Sequence, residues 1–511
     1  DAKCSPDSRW VSFVSGNDLW IAPTAAGRLR RLTFGGSETI LHGALDWVYQ
    51  EEFQARHGYF WSPDSLKIAF IEMDEKRVPT YPIPALLGSV PGLDLQRYPR
   101  AGDPNPSVRI GVVRVDSKRK RPRIKWLPLA AEYFPRFSWA DSARLSVQTL
   151  DRAQQNLELG VFDVEKNRYY PILSERDENW INIHDGLKFL AEGKEFLWTS
   201  ERSGFRHIYH YGVDGALRSQ LTEGDWQVGG IVDVINTESG DEGWIYFTSN
   251  ESNPLGTDLF RIPLSGGDRQ KLTNGQGTHT PGPIPAASVY VDTYSSIDTP
   301  PAVRLVDSSS GQTHSIYPSP DLTEFALDKP EISELRAPDG ESIRIQILKP
   351  THFDSAKKYP LIVYVYGGPA APTIRDAWMS RGRGLFHHYL TTQGFVVAQI
   401  DDRASSVLGH KHESALAKDY GPTALRDQLT AIEFLTQKPF IDPDRIGIWG
   451  WSGGGSSTCF ALTHSEAFKA GVAVAPVTDW HLYDSIYTER YMGQPDENVE
   501  AYKRTSIIEA A

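Results

Sequence analysis

The chain has 511 residues, 40% hydrophobic and 23% charged, a length well past the point where single cores stop growing, so at least two domains are expected. Its 53 basic and 65 acidic residues give a net charge of −12 with no basic stripe, which argues against nucleic-acid binding. No apolar run reaches bilayer-spanning length, and the two cysteines, Cys4 and Cys459, fall in different predicted domains, so no disulfide framework is expected.

From the N-terminus one pattern repeats: a turn, a short alternating strand, a second turn, then another strand. Ser5-Pro6-Asp7-Ser8 leads into Trp10 to Val14 and then Asp18-Leu19-Trp20-Ile21. Ser62-Pro63-Asp64-Ser65 leads into Lys67 to Ile71, Trp139-Ala140-Asp141-Ser142 into Arg144 to Val147, and Glu192-Gly193-Lys194 into Glu195 to Trp198. Gly243 to Phe247 is followed by Asp258-Leu259-Phe260-Arg261-Ile262. A recurrence of roughly 50 to 60 residues fits four-stranded propeller blades with insertions; a pair of β-sandwiches is the alternative. Residues 1–328 are assigned to this β-propeller. An insertion rich in Pro, Gly and Arg, from about Thr80 to Pro106, breaks the pattern as a long loop or an arm that contacts another subunit.

Asp46-Trp47-Val48-Tyr49-Gln50-Glu51-Glu52-Phe53 does not read as a blade strand. On a helical turn both carboxylates would face one cavity and hold an ammonium group by charge-assisted hydrogen bonds; a solvated acidic turn is the plainer reading.

Composition shifts near Asp328, and residues 329–511 read as an α/β-hydrolase. Ile343 to Leu348 alternates like an edge strand. Leu361 to Tyr366 and Phe395 to Ile400 are continuous apolar runs, as buried parallel strands require. Leu425, Leu429, Ile432 and Leu435 share one helical face. Ile446 to Trp449 then runs into Gly450-Trp451-Ser452-Gly453-Gly454, a G-x-S-x-G at a strand-to-helix corner. That is the pattern of a nucleophile elbow, with Ser452 standing clear of the sheet and the Gly453 N–H aimed where an oxyanion forms. The strand Ala470 to Ala475 completes a doubly wound, mostly parallel sheet. Ligands in such sheets sit at the carboxyl ends of the strands, which gathers Tyr366, Ser452 and Pro476 onward around one crevice.

Together these residues resemble the prolyl oligopeptidase group of serine peptidases, and within it the dipeptidyl peptidase IV family, bacterial type. Three motifs carry the likeness: Asp46 to Glu52 resembles the double-glutamate motif, Val365-Tyr366-Gly367-Gly368-Pro369 the oxyanion-tyrosine loop, and Val477 to Gly493 the proline-pocket segment. The resemblance implies Ser452 as nucleophile, Tyr366 and the Gly453 N–H as oxyanion donors, and Glu51 and Glu52 as the pair that holds the substrate's free N-terminus. It implies Val477, Trp480, Tyr483 and Tyr487 as walls for a proline ring. Tyr483 and Tyr487, spaced i, i+4, read from the sequence alone as core packing. The neighbouring Glu489 and Arg490 read as a structural ion pair. The implied activity is release of Xaa-Pro, and also Xaa-Ala, dipeptides from peptides with a free N-terminus, by a homodimer with no metal or organic cofactor. A prolyl tripeptidyl peptidase and an inactive peptide-binding homologue are the alternatives. A periplasmic or secreted location is expected, with the cytoplasm as the alternative.

Three features depart from the family pattern. Gly453 stands where a tyrosine usually follows the nucleophile, so one aromatic wall is expected to be lost. Asp401-Asp402-Arg403-Ala404-Ser405-Ser406 replaces a glycine-rich loop. After Ser452 the only histidines are His464 and His481, and neither follows a further strand with an acid. The catalytic acid and histidine are therefore expected beyond Ala511, a substrate-binding arginine before Asp1, and the chain is expected to be incomplete at both ends.

Overall fold

The computed structural model describes residues 1–87, 89–190, 193–235, 243–284, 289–325, 327–379, 383–405 and 407–511. Glu192, in one predicted turn, and Ser406, in the departing loop, lie outside the described residues.

Six antiparallel sheets follow one another along the first part of the chain, five with four strands and one with five. In five of them each strand pairs with its neighbour in sequence, the meander that short strands and tight turns produce. The predicted strands fall where expected, at Trp10–Ser15, Asp18–Pro23, Lys67–Asp74, Arg144–Leu150, Glu195–Ser200, Trp244–Ser249 and Asp258–Pro263. A further sheet, Thr278 to Tyr317, escaped the sequence reading. The Asp-Leu-aromatic motif has a physical reason. The buried Asp18 and Asp258 carboxylates each accept from a threonine hydroxyl, Thr33 and Thr273, both at 2.7 Å. Those threonine oxygens in turn accept the N–H groups of Leu19 and Leu259. His207 and Thr222 make the equivalent pair at 3.1 Å in another sheet. Each pair pins the start of the third strand of its sheet to the segment just after the fourth, satisfying buried polar groups that would otherwise be costly.

The second sheet is where the repeat breaks. It is interrupted by a helix, α1 (Trp47–Glu52), and by a hairpin of Thr80–Ala85 with Gly92–Arg97. Asp46 caps α1 by accepting the Tyr49 N–H at 2.8 Å, as short polar residues at an N-cap do. Val48, Tyr49 and Phe53 fix it by packing into the core of the neighbouring sheets. Part of the inserted segment is thus a hairpin and not an irregular loop throughout. It leaves Tyr81, Leu86, Leu87, Val90 and Leu93 exposed.

A mixed sheet begins at Glu331. Its strands are β1 (Glu331–Arg336), β2 (Ser342–Leu348), β3 (Tyr359–Val365), β4 (Val396–Asp401), β5 (Ile441–Trp451) and β6 (Ala470–Val474), in the order β1-β2-β4-β3-β5-β6. The last four are parallel; β1 and β2 are antiparallel. The run Ile343 to Leu348 is therefore not the edge. β1 covers it, and β1 carries the charges Glu331, Glu334 and Arg336 with which natural sheets protect an edge. Helix α2 (Pro422–Thr436) starts at a proline after Gly421, whose φ of +137° only glycine adopts readily. It buries Leu425, Ile432 and Leu435 against the sheet, with Leu429 half-buried beside them. Helix α3 (Gly453–His464) follows β5, and α4 (Ser485–Met492) lies beyond β6. Among the described residues no helix is long and apolar enough to cross a membrane. Both cysteines are free.

Candidate active site

Ser452 sits between β5 and α3 with φ 57° and ψ −119°, a strained conformation for a residue with a Cβ, costing on the order of 1–3 kcal/mol. The surrounding glycines are what allow it. A Cβ on Gly450 would stand 2.3 Å from the Gly454 carbonyl oxygen, and one on Gly454 would stand 2.2 Å from that of Val365. A Cβ on Gly455 would meet the Val474 oxygen at 2.6 Å. Backbone packs so closely there that no side chain fits. The Ser452 N–H donates to the Val474 carbonyl at 2.9 Å, tying the corner to the end of β6. Ser452 itself is exposed. Gly453 opens α3, so its N–H is one of the first-turn amides left without an intrahelical acceptor, at the positive end of the helix.

Tyr366 follows β3 directly, where Gly367 turns the chain at φ +71°. Its ring edge, Cε1, lies 3.7 Å from the position a Cβ would take on Gly453, and its carbonyl accepts from the Ser457 hydroxyl. The crevice at the carboxyl ends of β3, β5 and β6 thus brings Tyr366, Ser452 and Gly453 together. Val477 joins them, its N–H bonded to the Ser456 hydroxyl at 2.8 Å.

The aromatic residues of the segment after β6 form one cluster. Trp480 is buried, its ring stacked on Tyr487 at 6.1 Å, with Tyr483 edge-on to Tyr487 at 5.3 Å. Each such pair adds roughly 0.5–1.5 kcal/mol beyond its buried area. Asp484 caps α4 by accepting the Tyr487 N–H at 2.9 Å, and Gly493, at φ +70°, ends it. This cluster is where the sheet array and the α/β part meet. Glu489 is not paired with Arg490, as the sequence suggested, because consecutive helical residues point to different sides. Glu489 takes a bidentate pair from Arg152 at 2.6 Å and the Gly102 N–H at 2.8 Å. Arg490 donates to Gln154 at 2.7 Å and to the Glu52 carbonyl. Gln154 in turn donates to the Ile486 carbonyl at 2.6 Å, and the Ser485 hydroxyl to Asn105.

The two glutamates of α1 differ. Glu51 is exposed, whereas Glu52 is half-buried and accepts from the Tyr483 hydroxyl at 3.3 Å. Burial raises the Glu52 carboxyl above its ordinary range; the Arg490 guanidinium opposes this and the Glu51 charge adds to it. Asp484 faces Glu52, and burial together with the Glu52 charge raises it further. Asp484 lay inside the quoted pocket segment but was not singled out; its position before Ser485-Ile486-Tyr487, a helix-capping signal, could have found it. Tyr420 was missed entirely. It is buried, 4.5 Å ring to ring from Trp480, with its hydroxyl 2.8 Å from that of Tyr487. It precedes Gly421-Pro422 and belongs to no motif.

The departing loop has a structural role. Asp401 accepts the N–H groups of Thr373 and Ile374. Arg403 pairs with Asp427 at 2.7 Å and Asp339 at 2.8 Å. Asp402 accepts the Ala404 and Ser405 N–H groups, and burial pushes its carboxyl up to about 7. Among the described residues no histidine hydrogen-bonds Ser452. His464 stacks on Phe460 at 3.9 Å, and His481 bonds Asp479 at 2.7 Å. One cluster has donors suited to a cation, Glu201, His410 and Glu413. The Asn182 amide nitrogen already bonds both carboxylates, at 2.9 and 2.8 Å, so these groups serve as an internal clasp.

Residues 1–301 match the family described as "Dipeptidyl peptidase IV (DPP IV) N-terminal region", and residues 386–511 match "Prolyl oligopeptidase family". Dipeptidyl peptidase 4 of Trichophyton equinum is 31% identical over 99% of this chain and 67% of its own length. That of Trichophyton rubrum is 30% identical over the same shares. The crystal structure of Porphyromonas gingivalis dipeptidyl peptidase 4 superposes with a TM-score of 0.93 at 31% identity, covering all of this chain and 72% of that one. The class is that of the prolyl oligopeptidase-type serine peptidases. Within it, the chain belongs to the dipeptidyl peptidase IV family.

Proposed function

We propose that this protein releases Xaa-Pro dipeptides, and more slowly Xaa-Ala, from the free N-termini of peptides. One observation carries the reading most: a strained, exposed serine stands at one end of an aromatic cluster whose other end is a half-buried carboxylate 431 positions from Tyr483 in sequence. An aromatic box suits the flat proline ring. A carboxylate beyond it suits an ammonium group and sets the distance to the scissile bond. Ser452 Oγ attacks the carbonyl after proline. Tyr366 and the Gly453 N–H stabilise the tetrahedral oxyanion, and a general base accepts the Ser452 proton. Glu52 binds the N-terminus directly, with Glu51 supplying charge from the rim.

In this reading residues 1–328 form a β-propeller, supported by the serial four-stranded sheets, and residues 329–511 an α/β-hydrolase. The exposed apolar hairpin of Thr80–Arg97 is the proposed contact of a homodimer. The test is a substrate series on the active protein. Gly-Pro p-nitroanilide is expected to be cleaved, its N-acetyl form refused, and a tripeptide ending in proline cut poorly. Preference for the tripeptide would transfer the reading to a tripeptidyl peptidase. Binding of Gly-Pro peptides without turnover would make the protein a peptide-binding homologue.

A further inference from the structure

Four glycines lie at positions 450 and 453–455 of the elbow, and one of them has no backbone reason to be glycine. At 450, 454 and 455 a Cβ would collide with a carbonyl oxygen. At Gly453 the nearest atoms to a Cβ are the Tyr366 oxygen at 3.5 Å, the Tyr420 hydroxyl at 3.6 Å and Tyr366 Cε1 at 3.7 Å, all ordinary contacts. Gly453 has no left-handed φ. A Cβ therefore fits, and the first atoms it meets are the Tyr366 carbonyl, the Tyr420 hydroxyl and the Tyr366 ring; a larger side chain directed that way would compete with them for the same space.

The Tyr420 hydroxyl is a meeting point. It lies 3.2 Å from where a Cβ on Gly368 would stand, in the turn after β3, and 2.8 Å from the Tyr487 hydroxyl on α4. Its ring packs at 4.5 Å on Trp480 and is 4% exposed. Gly421, at φ +137°, turns the backbone immediately after it, and Pro422 starts α2, so the ring is held by a rigid corner. One side chain touches the elbow, the oxyanion turn and the pocket helix together. We propose that Tyr420 is a specificity-determining residue: it supplies, from outside the elbow, the aromatic wall that glycine at 453 leaves out, and its hydroxyl holds Tyr487 in place. The lost wall expected from the sequence is thus replaced by a residue 33 positions earlier in the chain. This rests on the proposed peptidase reading, since it names the proline pocket of that site.

The test uses the active full-length protein and four variants: Tyr420→Phe, Tyr420→Leu, Gly453→Phe, and Tyr420→Leu with Gly453→Phe. Two quantities are read. The first is the ratio of kcat/KM for Gly-Pro p-nitroanilide over its six-membered-ring pipecolyl analogue. Leu at 420 lowers this ratio about tenfold, the scale of a pocket changed by a few carbon atoms, and Phe, which keeps the ring but releases the Tyr487 hydroxyl, lowers it by less. The second is the thermal midpoint. Gly453→Phe alone melts at least ~2 °C below wild type, and the same change in the Tyr420→Leu background costs little further. An unchanged ratio in Tyr420→Leu overturns the wall. Equal melting losses for Gly453→Phe in both backgrounds overturn the shared space. Absence of Gly-Pro hydrolysis by wild type would overturn the peptidase reading and with it the specificity role, whereas the melts judge the shared space on their own.

Discussion

The elbow and the glutamate end of the site, proposed to hold an ammonium group, are built on opposite principles. The elbow is local: the end of a strand, a strained serine and three glycines forced by backbone contact all fall within residues 450–455. The glutamate end is assembled from distant pieces. Glu52 comes from a helix inserted in the second sheet, Tyr483 and Asp484 from the last part of the chain, and Arg152 and Gln154 from a third sheet. Chemistry that needs one exposed atom at one angle can be made by a short motif. A pocket that measures the length of a substrate needs two walls held apart by a scaffold, and so depends on every contact between the two parts of the protein.

The largest effect breaks the elbow without touching the pocket. Ser452→Ala is expected to lower kcat by at least about 10⁴-fold while calorimetry still detects Gly-Pro peptide binding and the melting curve is unchanged. The second breaks the scaffold and spares the elbow. Glu489 is 2% exposed, and Glu489→Gln leaves the Arg152 guanidinium without its bidentate partner. Removing one member of a buried pair typically costs about 3–5 kcal/mol, to be read in urea unfolding together with a rise in KM.

A sharper test separates the two glutamates. Glu52→Gln is expected to raise KM for Gly-Pro p-nitroanilide by on the order of 10- to 100-fold, the cost of a lost charged hydrogen bond, and Glu51→Gln by much less. The pH dependence follows from the same geometry. Because burial, with the Glu51 charge adding to it, raises the Glu52 carboxyl, it takes up a proton at higher pH than an exposed glutamate. Ammonium binding therefore weakens as pH falls, beginning above the ordinary glutamate range. The check is the acid limb of kcat/KM for Gly-Pro p-nitroanilide, expected above the ordinary glutamate range; a limb within that range would remove the burial of Glu52 as its cause.

The smallest effect lies under the site. Asp402 is raised to about 7 by burial, so the folded protein keeps a proton that the unfolded chain releases near the ordinary carboxyl value. Stability then falls as pH rises between that value and about 7, by at most ~1.4 kcal/mol per unit, and is level above. Asp402→Asn should flatten this slope in thermal melts taken across the range; an unaltered slope would remove Asp402 as its source.

Much of this was legible in residue order. The elbow was readable because a strand period, a G-x-S-x-G and a helix adjoin. The four-stranded sheets were readable from their turns, and the motif within them because Asp18 and Asp258 each serve a threonine 15 residues on. The pocket segment was readable through its likeness to a known family. What misled was adjacency. Ile343 to Leu348 alternates like an edge strand, yet β1 pairs outside it. Glu489 and Arg490 are neighbours in sequence, yet each finds its partner in another sheet.

By itself the sequence determined where the serine stands, which segments alternate, and which glycines must be glycine, because these depend on contacts within a few residues. Only the tertiary structure decided that Glu52 rather than Glu51 faces the pocket, that Asp484 lies against it, and that Tyr420 fills the space beside Gly453. Those outcomes hang on how two folded parts dock, and no local pattern encodes which side chain a distant backbone will bring within 4 Å.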